Sequence, residues 1–126
     1  MTNIFMKQDD SKNMKSIILI NQILKIYDDS LDFEEVDDKK LNHKYLKCSP
    51  NRFMAVMNML QDGGYITGID YKEWNDGSFE FDVSDSSITL AGLQYYAENT
   101  KLLSKLGIIV ESAATIAANV AGIIKI

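Results

Sequence analysis

The stretch Cys48 to Gly64, "CSPNRFMAVMNMLQDGG", marks both ends of one helix and so fixes a frame for everything around it. Ser49 can accept from the orphan N–H groups of a first turn, Pro50 suits the first helical position, and Gly63-Gly64 supplies a left-handed exit. Between those signals Phe53, Val56, Met57 and Leu60 recur at helical spacing and form a core stripe. The next residues change period. In "YITGIDYKEWNDGSFEFDV", Phe79, Phe81 and Val83 alternate with Glu80 and Asp82, and Asn75-Asp76-Gly77 sits where a tight turn is needed. A capped helix running into a two-stranded hairpin leaves few architectures open.

The flanks narrow the choice. From about Ser11 to Tyr27, Ile17, Ile20, Leu24 and Tyr27 step by three, four and three, one face of a helix. "DDSLDFEEVDD", residues 28–38, lacks such a period and reads as a solvated loop, and Lys39 to Leu46 suits a short second helix. After the hairpin, Thr89 caps a helix "LAGLQYYAEN" with Leu90, Leu93 and Ala97 on its apolar side. Helix, short helix, capped helix, hairpin, helix is the order of a winged helix-turn-helix. The expected fold class is therefore mainly α with a small β-hairpin wing, followed by a C-terminal apolar helix. The corresponding division is an N-terminal arm over 1–12 with room to be flexible, a winged-helix domain over 13–100, and an apolar helix over 101–126.

At 126 residues the chain supports one core, and 46% hydrophobic against 25% charged residues is the balance of a folded chain. A single cysteine, Cys48, forms no intrachain disulfide and fits a reducing compartment. Asp9 and Asp10 stand where a secretory leader would carry positive charge, so a cytoplasmic location is expected. The formal charge of −5 is segregated along the chain. Residues 28–38 hold seven acids and no base, 39–64 hold five bases against Asp62, and 65–85 hold six acids against Lys72.

No catalytic constellation emerges, and the chain is expected not to be an enzyme. His43 is the single histidine, and Cys48, five residues on, is too far to meet it within one helical turn. Cys48 before a capped helix reads as a small apolar filler. Counting Asp28 as the first position of a calcium loop puts Phe33 where Gly is required and Lys39 where a bidentate Glu belongs, so that template fails. The glycines punctuate helix and strand ends and build no phosphate cradle. No cofactor and no dedicated metal site are expected.

"DGGYITGI", the hairpin "DGSFEFDVSDSSITLAGLQYYAENT" and the lead-in "LDFEEVDDKKLNHKYL" resemble the YjcQ family, small proteins found in phages and prophages of Gram-positive bacteria. The likeness runs from about Met14 to Leu106. Its most specific part is the Thr-x-x-Gly-x-x-Tyr pattern of Thr89, Gly92 and Tyr95 followed by Glu98-Asn99. The resemblance implies a winged-helix fold, phage or prophage origin and the cytoplasm of a bacterial host. It implies no catalytic residue.

Two binding readings follow. As a DNA-binding regulator, the chain would place the capped helix in the major groove, where Asn51, Arg52, Asn58 and Gln61 can reach base edges and Lys39, Lys40, Lys44 and Lys47 can meet phosphates of double-stranded DNA. The acids of the wing oppose that arrangement. The alternative is a protein-interaction module acting on a host or phage protein, for example a counter-defence inhibitor that occupies a nucleic-acid channel. Asp28, Asp29, Asp32, Glu34, Glu35 and an exposed Trp74 would be its contacts, unless Trp74 folds back as a cross-strand partner of Phe79.

The tail adds a third surface. Leu102, Leu106, Ile109, Ala113, Ile116, Val120 and Ile123 step by four and three, the spacing of a helix packing seam. That face suits a homo-oligomer, most simply a dimer; packing on the chain's own first helix and membrane attachment are the alternatives. The uncharged run Ser112 to Ile124 falls short of the ~20 residues of a spanning helix, which argues against the membrane.

Overall fold

A computed structural model of the chain describes residues 2–77 and 79–109. Among them the order is α1 (Thr2–Ser30), α2 (His43–Leu46), α3 (Pro50–Asp62), β1 (Ile66–Thr67), β2 (Asp70–Glu73), β3 (Phe79–Asp82), β4 (Ser87–Ile88) and α4 (Leu90–Lys105). The described residues thus form a mainly helical fold with two small antiparallel sheets, β1 with β4 and β2 with β3.

Helix α1 is the axis of the molecule. Leu19, Ile23, Leu24 and Tyr27 enter the main core, while Ile18 joins a second cluster with Leu103 and Ile108. Burial on several sides is why the single stripe read from the sequence captures only part of it: Leu24 and Tyr27 are buried, Ile17 and Ile20 only partly. The helix also begins at Thr2 rather than Ser11, so most of the stretch expected as an arm is helical; no Gly or Pro interrupts it.

Helix α3 follows its sequence signals closely. The Ser49 side chain accepts from Arg52 N–H at 3.1 Å, Pro50 opens the helix, and Phe53, Val56, Met57 and Leu60 are all buried. At the exit Gly64 takes φ +79°, and Tyr65 N–H reaches back to Leu60 C=O at 2.9 Å while Gly64 N–H reaches Gln61 C=O at 3.1 Å, a Schellman closure.

The hairpin is broken into a base and a tip. Ile66 faces Ile88 and Thr67 faces Ser87 at the base; Asp70, Tyr71, Lys72 and Glu73 face Asp82, Phe81, Glu80 and Phe79 at the tip. Between the two ladders Gly68 has φ +85°, and a Cβ there would lie 2.5 Å from Asp85 O, so the strands cross where only glycine fits. Opposite the crossing, Tyr27 and Ser86 hydroxyls lie 2.8 Å apart. Ser86 already donates to Val83 C=O, so Tyr27 is the donor in this pair.

Helix α4 is clamped onto the base. The Thr89 side chain accepts from Gly92 N–H at 3.0 Å and donates to Gly64 C=O at 2.5 Å, and Thr89 N–H donates to Tyr65 C=O at 3.0 Å. Gly92 lies so close to the wing that an added Cβ would meet Tyr65 O at 2.1 Å. One turn further, Tyr95 packs on Tyr65 with ring centroids 4.9 Å apart. The inward row is Gly92, Tyr96, Asn99 and Leu103, and the residues expected to face inward are displaced: Leu90 is 72% exposed and Ala97 is exposed, with Leu93 alone partly buried. Asn99 Nδ2 donates to Asn21 Oδ1 at 3.2 Å and to Ile17 C=O at 3.3 Å, which fixes α4 against α1.

A second Schellman closure ends α4. Gly107 takes φ +80°, Gly107 N–H reaches Ser104 C=O at 2.9 Å and Ile108 N–H reaches Leu103 C=O at 2.8 Å, with Ile108 packed beside Leu103. A helix continuous across the boundary at 100/101 is present, but it stops at Lys105. The seam expected from Leu102 onward therefore leaves helical register at Gly107. Its remaining members Ala113, Ile116, Val120 and Ile123 lie outside the described residues.

Candidate functional site

The polar side chains of α3 nominated as base readers are mostly engaged within the fold. Arg52 Nη1 donates to Ser16 Oγ on α1 at 2.8 Å. Asn58 Oδ1 accepts from the Tyr71 hydroxyl on β2, and Gln61 Oε1 accepts from Ile69 N–H at 2.8 Å. Asn51 stays exposed. Around it the outward face of α3 carries Met54, Ala55, Met59 and Asp62, with Met59 54% exposed, and Tyr71 of the wing lies alongside. Sequence reasoning passed over the two methionines because they fall between the positions of the buried stripe; that offset is itself the signal of an outward apolar face.

The basic residues before α3 form a separate ledge. Lys39, Lys40, Lys44 and Lys47 are exposed, and Lys40 pairs with Asp37 at 3.7 Å. Asn42 caps α2 by accepting from Tyr45 N–H at 2.8 Å, and Lys47 closes it in the left-handed region at φ 55°, the one non-glycine residue at positive φ among those described. The eight nominated DNA contacts thus divide into a lysine ledge, an exposed Asn51 and three side chains, Arg52, Asn58 and Gln61, that hold the fold together.

On the wing, Trp74 is 55% exposed and its indole donates to Glu80 at 3.3 Å. Lys72 lies 3.4 Å from Asp82. Hydrogen bonds from the Ser84 hydroxyl and N–H, with Lys72 nearby, hold the Asp82 carboxyl below its ordinary pKa. Between this hairpin and the α2–α3 corner is a cleft of about 440 Å³ with Phe53, Met54 and Phe81 in its floor.

The acidic loop is built on Ser30, whose hydroxyl donates to Ile26 C=O at 2.6 Å and accepts from Asp37 N–H at 3.1 Å. Of the loop residues nominated as contacts, Asp29 is paired with Lys25 at 3.1 Å. Burial alone would depress the Lys25 ammonium, but the Asp29 carboxylate together with Tyr96 and Asp28 outweighs it and raises its pKa. Asp28 is half-buried, while Asp32, Glu34 and Glu35 are exposed beside Leu31 and a Phe33 that is 75% exposed. No group of three or more His, Cys, Asp or Glu among the described residues is placed to hold a metal ion. Trp74 lines neither the cleft described above nor the smaller one at Tyr27, Leu31, Phe33 and Ser86, so loop and wing tip are not brought together there. Burial pushes the Cys48 thiol up, against a smaller opposing effect of Arg52, which leaves it a poor nucleophile.

The residues that tie the wing and α4 to the rest of the fold, Thr89, Gly92, Tyr95 and Asn99, lie within a stretch that a family model matches. The family model described as YjcQ protein matches residues 21–111. The chain belongs to the YjcQ family. Comparison with curated proteins and with solved structures finds no match. The most specific stretch of the resemblance, Thr89, Gly92 and Tyr95, is explained by packing: a cap, a close approach and a ring contact at the base of the wing. Asn99 adds the α1–α4 hydrogen bonds. These residues build the fold and leave the α3 face, the tip, the lysine ledge and the acidic loop exposed to a partner. No helix among the described residues is long and apolar enough to cross a membrane.

Proposed function

We propose that this chain is a non-enzymatic winged-helix protein of phage or prophage type that binds a protein of its bacterial host in the cytoplasm. The observation that carries the reading is the fate of the α3 polar side chains. Arg52, Asn58 and Gln61 are spent on Ser16, Tyr71 and Ile69, and the face left to solvent presents Met54, Ala55 and Met59. Adaptable methionines with aromatic Tyr71 alongside, in a surface that also carries acids, match the composition of protein-binding surfaces better than that of a duplex reader. Acids at Asp70, Glu73, Glu80 and Asp85 give such a surface preference for a basic target and would repel phosphates.

A second reading, a DNA-binding regulator, is favoured by the ledge. Lys39, Lys44 and Lys47 form no ion pair among the described residues, and Lys47 stands in a backbone conformation that glycine would occupy more easily. A homo-oligomer, most simply a dimer, is compatible with either reading and is supported by the exposure of Leu102 on α4 and of Leu106 at its C-cap.

The deciding experiment is fluorescence anisotropy on generic duplex DNA across a salt series, paired with affinity capture from a host lysate. Capture of a protein that disappears with Met59→Glu, together with no duplex binding at low salt, is the expected result. Duplex binding that weakens steeply with salt, collapses when Lys39, Lys40, Lys44 and Lys47 are neutralised and ignores Met59→Glu would overturn it in favour of regulation through DNA.

A further inference from the structure

The cleft beside the wing is lined by three consecutive residues of one strand and the residue after it: Glu80, Phe81, Asp82 and Val83 all contribute. Side chains alternate across a strand, so a run of neighbours can line one cavity only if that cavity follows the strand's edge. The edge is the one away from β2, because among the described residues β2 is the sole ladder partner of β3. Lys72 stands opposite Glu80 in the ladder, on the hairpin face that also carries Asp82, and lies 3.4 Å from that carboxylate. On the far wall, the connection between α1 and α2 contributes Asp38 and Leu41 but no strand, so among the described residues no strand pairs with β3 on this side.

The chemistry of the cleft is amphipathic and acidic. Its floor is Phe53, Met54 and Phe81, the two rings meeting edge to face at 6.4 Å. Its rim carries Asp38, Glu80 and Asp82, and the one cation, Lys72, is held by Asp82. Two carboxylates are left in excess. Glu80 is steadied by the Trp74 indole, so the exposed tryptophan adjoins the same rim. The volume, about 440 Å³, admits a large apolar side chain with room for its flanks.

We propose that the free edge of β3 takes up a short extended peptide segment of a partner as an added strand, with one large apolar side chain on the Phe53–Met54–Phe81 floor and Lys or Arg on either side of it facing Asp38 and Glu80. Main-chain hydrogen bonding gives the affinity and the alternating side chains give the choice of sequence. This rests on the protein-interaction reading above and names the partner's chemistry: a basic, apolar-centred strand. Acidic segments are repelled by the rim.

The test uses the full chain, isotope-labelled, and three synthetic nine-residue probes: Lys and Val alternating around a central Leu, the same peptide with Glu for Lys, and the Lys peptide with its two central-flanking amides N-methylated. Saturable amide shifts at Glu80–Val83 and a change in Trp74 fluorescence are expected with the first probe alone, weakening with salt. Asp38→Lys with Glu80→Lys, both at exposed positions, should lower the affinity at least about tenfold without altering the circular dichroism. Equal binding of the Glu peptide, equal binding of the N-methylated peptide, shifts confined to another surface, or no saturable shift would each overturn the proposal. If Asp38→Lys/Glu80→Lys still captures the host protein while Met59→Glu does not, the strand-addition site fails and the interaction reading stands.

Discussion

Gly92→Ala tests how tightly α4 is seated on the wing. A Cβ at this position would lie 2.1 Å from Tyr65 O and 2.7 Å from the Ile88 side chain, so α4 must retreat by about 0.9 Å to reach even the 3.0 Å limit of close contact. Tyr65 O cannot retreat instead, because the same carbonyl accepts from Thr89 N–H and its residue closes α3 through Leu60 C=O. Retreat stretches the Thr89 cap, worth about 1 kcal/mol, and the Thr89–Tyr65 hydrogen bond, worth about 1 kcal/mol. Overpacking against Ile88 adds about 1–3 kcal/mol, and the better helix propensity of alanine returns up to about 1 kcal/mol. The net loss is about 3 kcal/mol, a large part of the ~5–15 kcal/mol of an ordinary domain. With a urea dependence of about 2 kcal/mol per molar, the unfolding midpoint followed by circular dichroism should fall by about 1.5 M. Gly64→Ala is the control: it meets nothing within 4 Å and suffers only its φ of +79°, for about 1 kcal/mol. A Gly92→Ala midpoint as high as that of Gly64→Ala would refute the close approach of α4 to the wing base.

Three further outcomes are expected. Burial raises the Tyr27 phenol to about 12; its folded pKa exceeds the unfolded value, so the stability it contributes is intact below pH ~10 and is lost as pH rises toward 12. Tyr27→Phe should cost about 1 kcal/mol at neutral pH and flatten that alkaline slope in urea titrations. Lys47→Gly relieves a left-handed lysine and should raise stability by about 1 kcal/mol, while leaving host-protein capture intact and weakening any duplex binding in the anisotropy assay. Leu102→Asp with Leu106→Asp, at exposed positions of the last turn of α4 and its cap, should convert an oligomer to monomer by light scattering with an unchanged unfolding midpoint; unchanged mass would remove α4 from the subunit interface.

The parts of the fold legible in the sequence were those set by local rules. Ser49, Pro50 and Gly64 delimit α3 through caps that need only neighbours, and Asn75-Asp76-Gly77 sits at the tip turn, where Gly77 takes φ +85°. What escaped was set by tertiary contact. The sequence gives α4 an apolar row through Leu90, but the close approach at Gly92 turns the helix so that Leu90 faces solvent and Asn99 faces the core. A buried asparagine breaks the apolar period, and only the partner Asn21, 78 positions away, makes it intelligible. The candidate site was half legible for the same reason. Lys39, Lys44 and Lys47 are exposed as expected, whereas the partners of Arg52, Asn58 and Gln61 lie on α1 and in the wing, where no spacing argument reaches them.

The division between clamp and surface bears on how function can vary on this fold. Thr89, Gly92, Tyr95 and Asn99 join the base of the wing, the exit of α3, α4 and α1 through contacts within the chain. The tip ladder is separated from that base by the Gly68 crossing, so substitutions at Trp74, Glu80 or Asp82 act on a two-stranded element whose loss leaves the β1–β4 ladder in place. An isolated two-stranded tip is marginal by itself and gains from anything that adds a strand or fills its apolar side. Tyr71 and Phe81, whose rings lie 4.9 Å apart, supply part of that support from α3's side through Asn58 and Phe53. A partner strand on β3 would supply the rest, which makes ordering of the tip and binding at its edge the same event. Hydrogen-exchange protection at Phe81 and Val83 should then rise with the basic probe while protection at Ile66 and Ile88 stays unchanged.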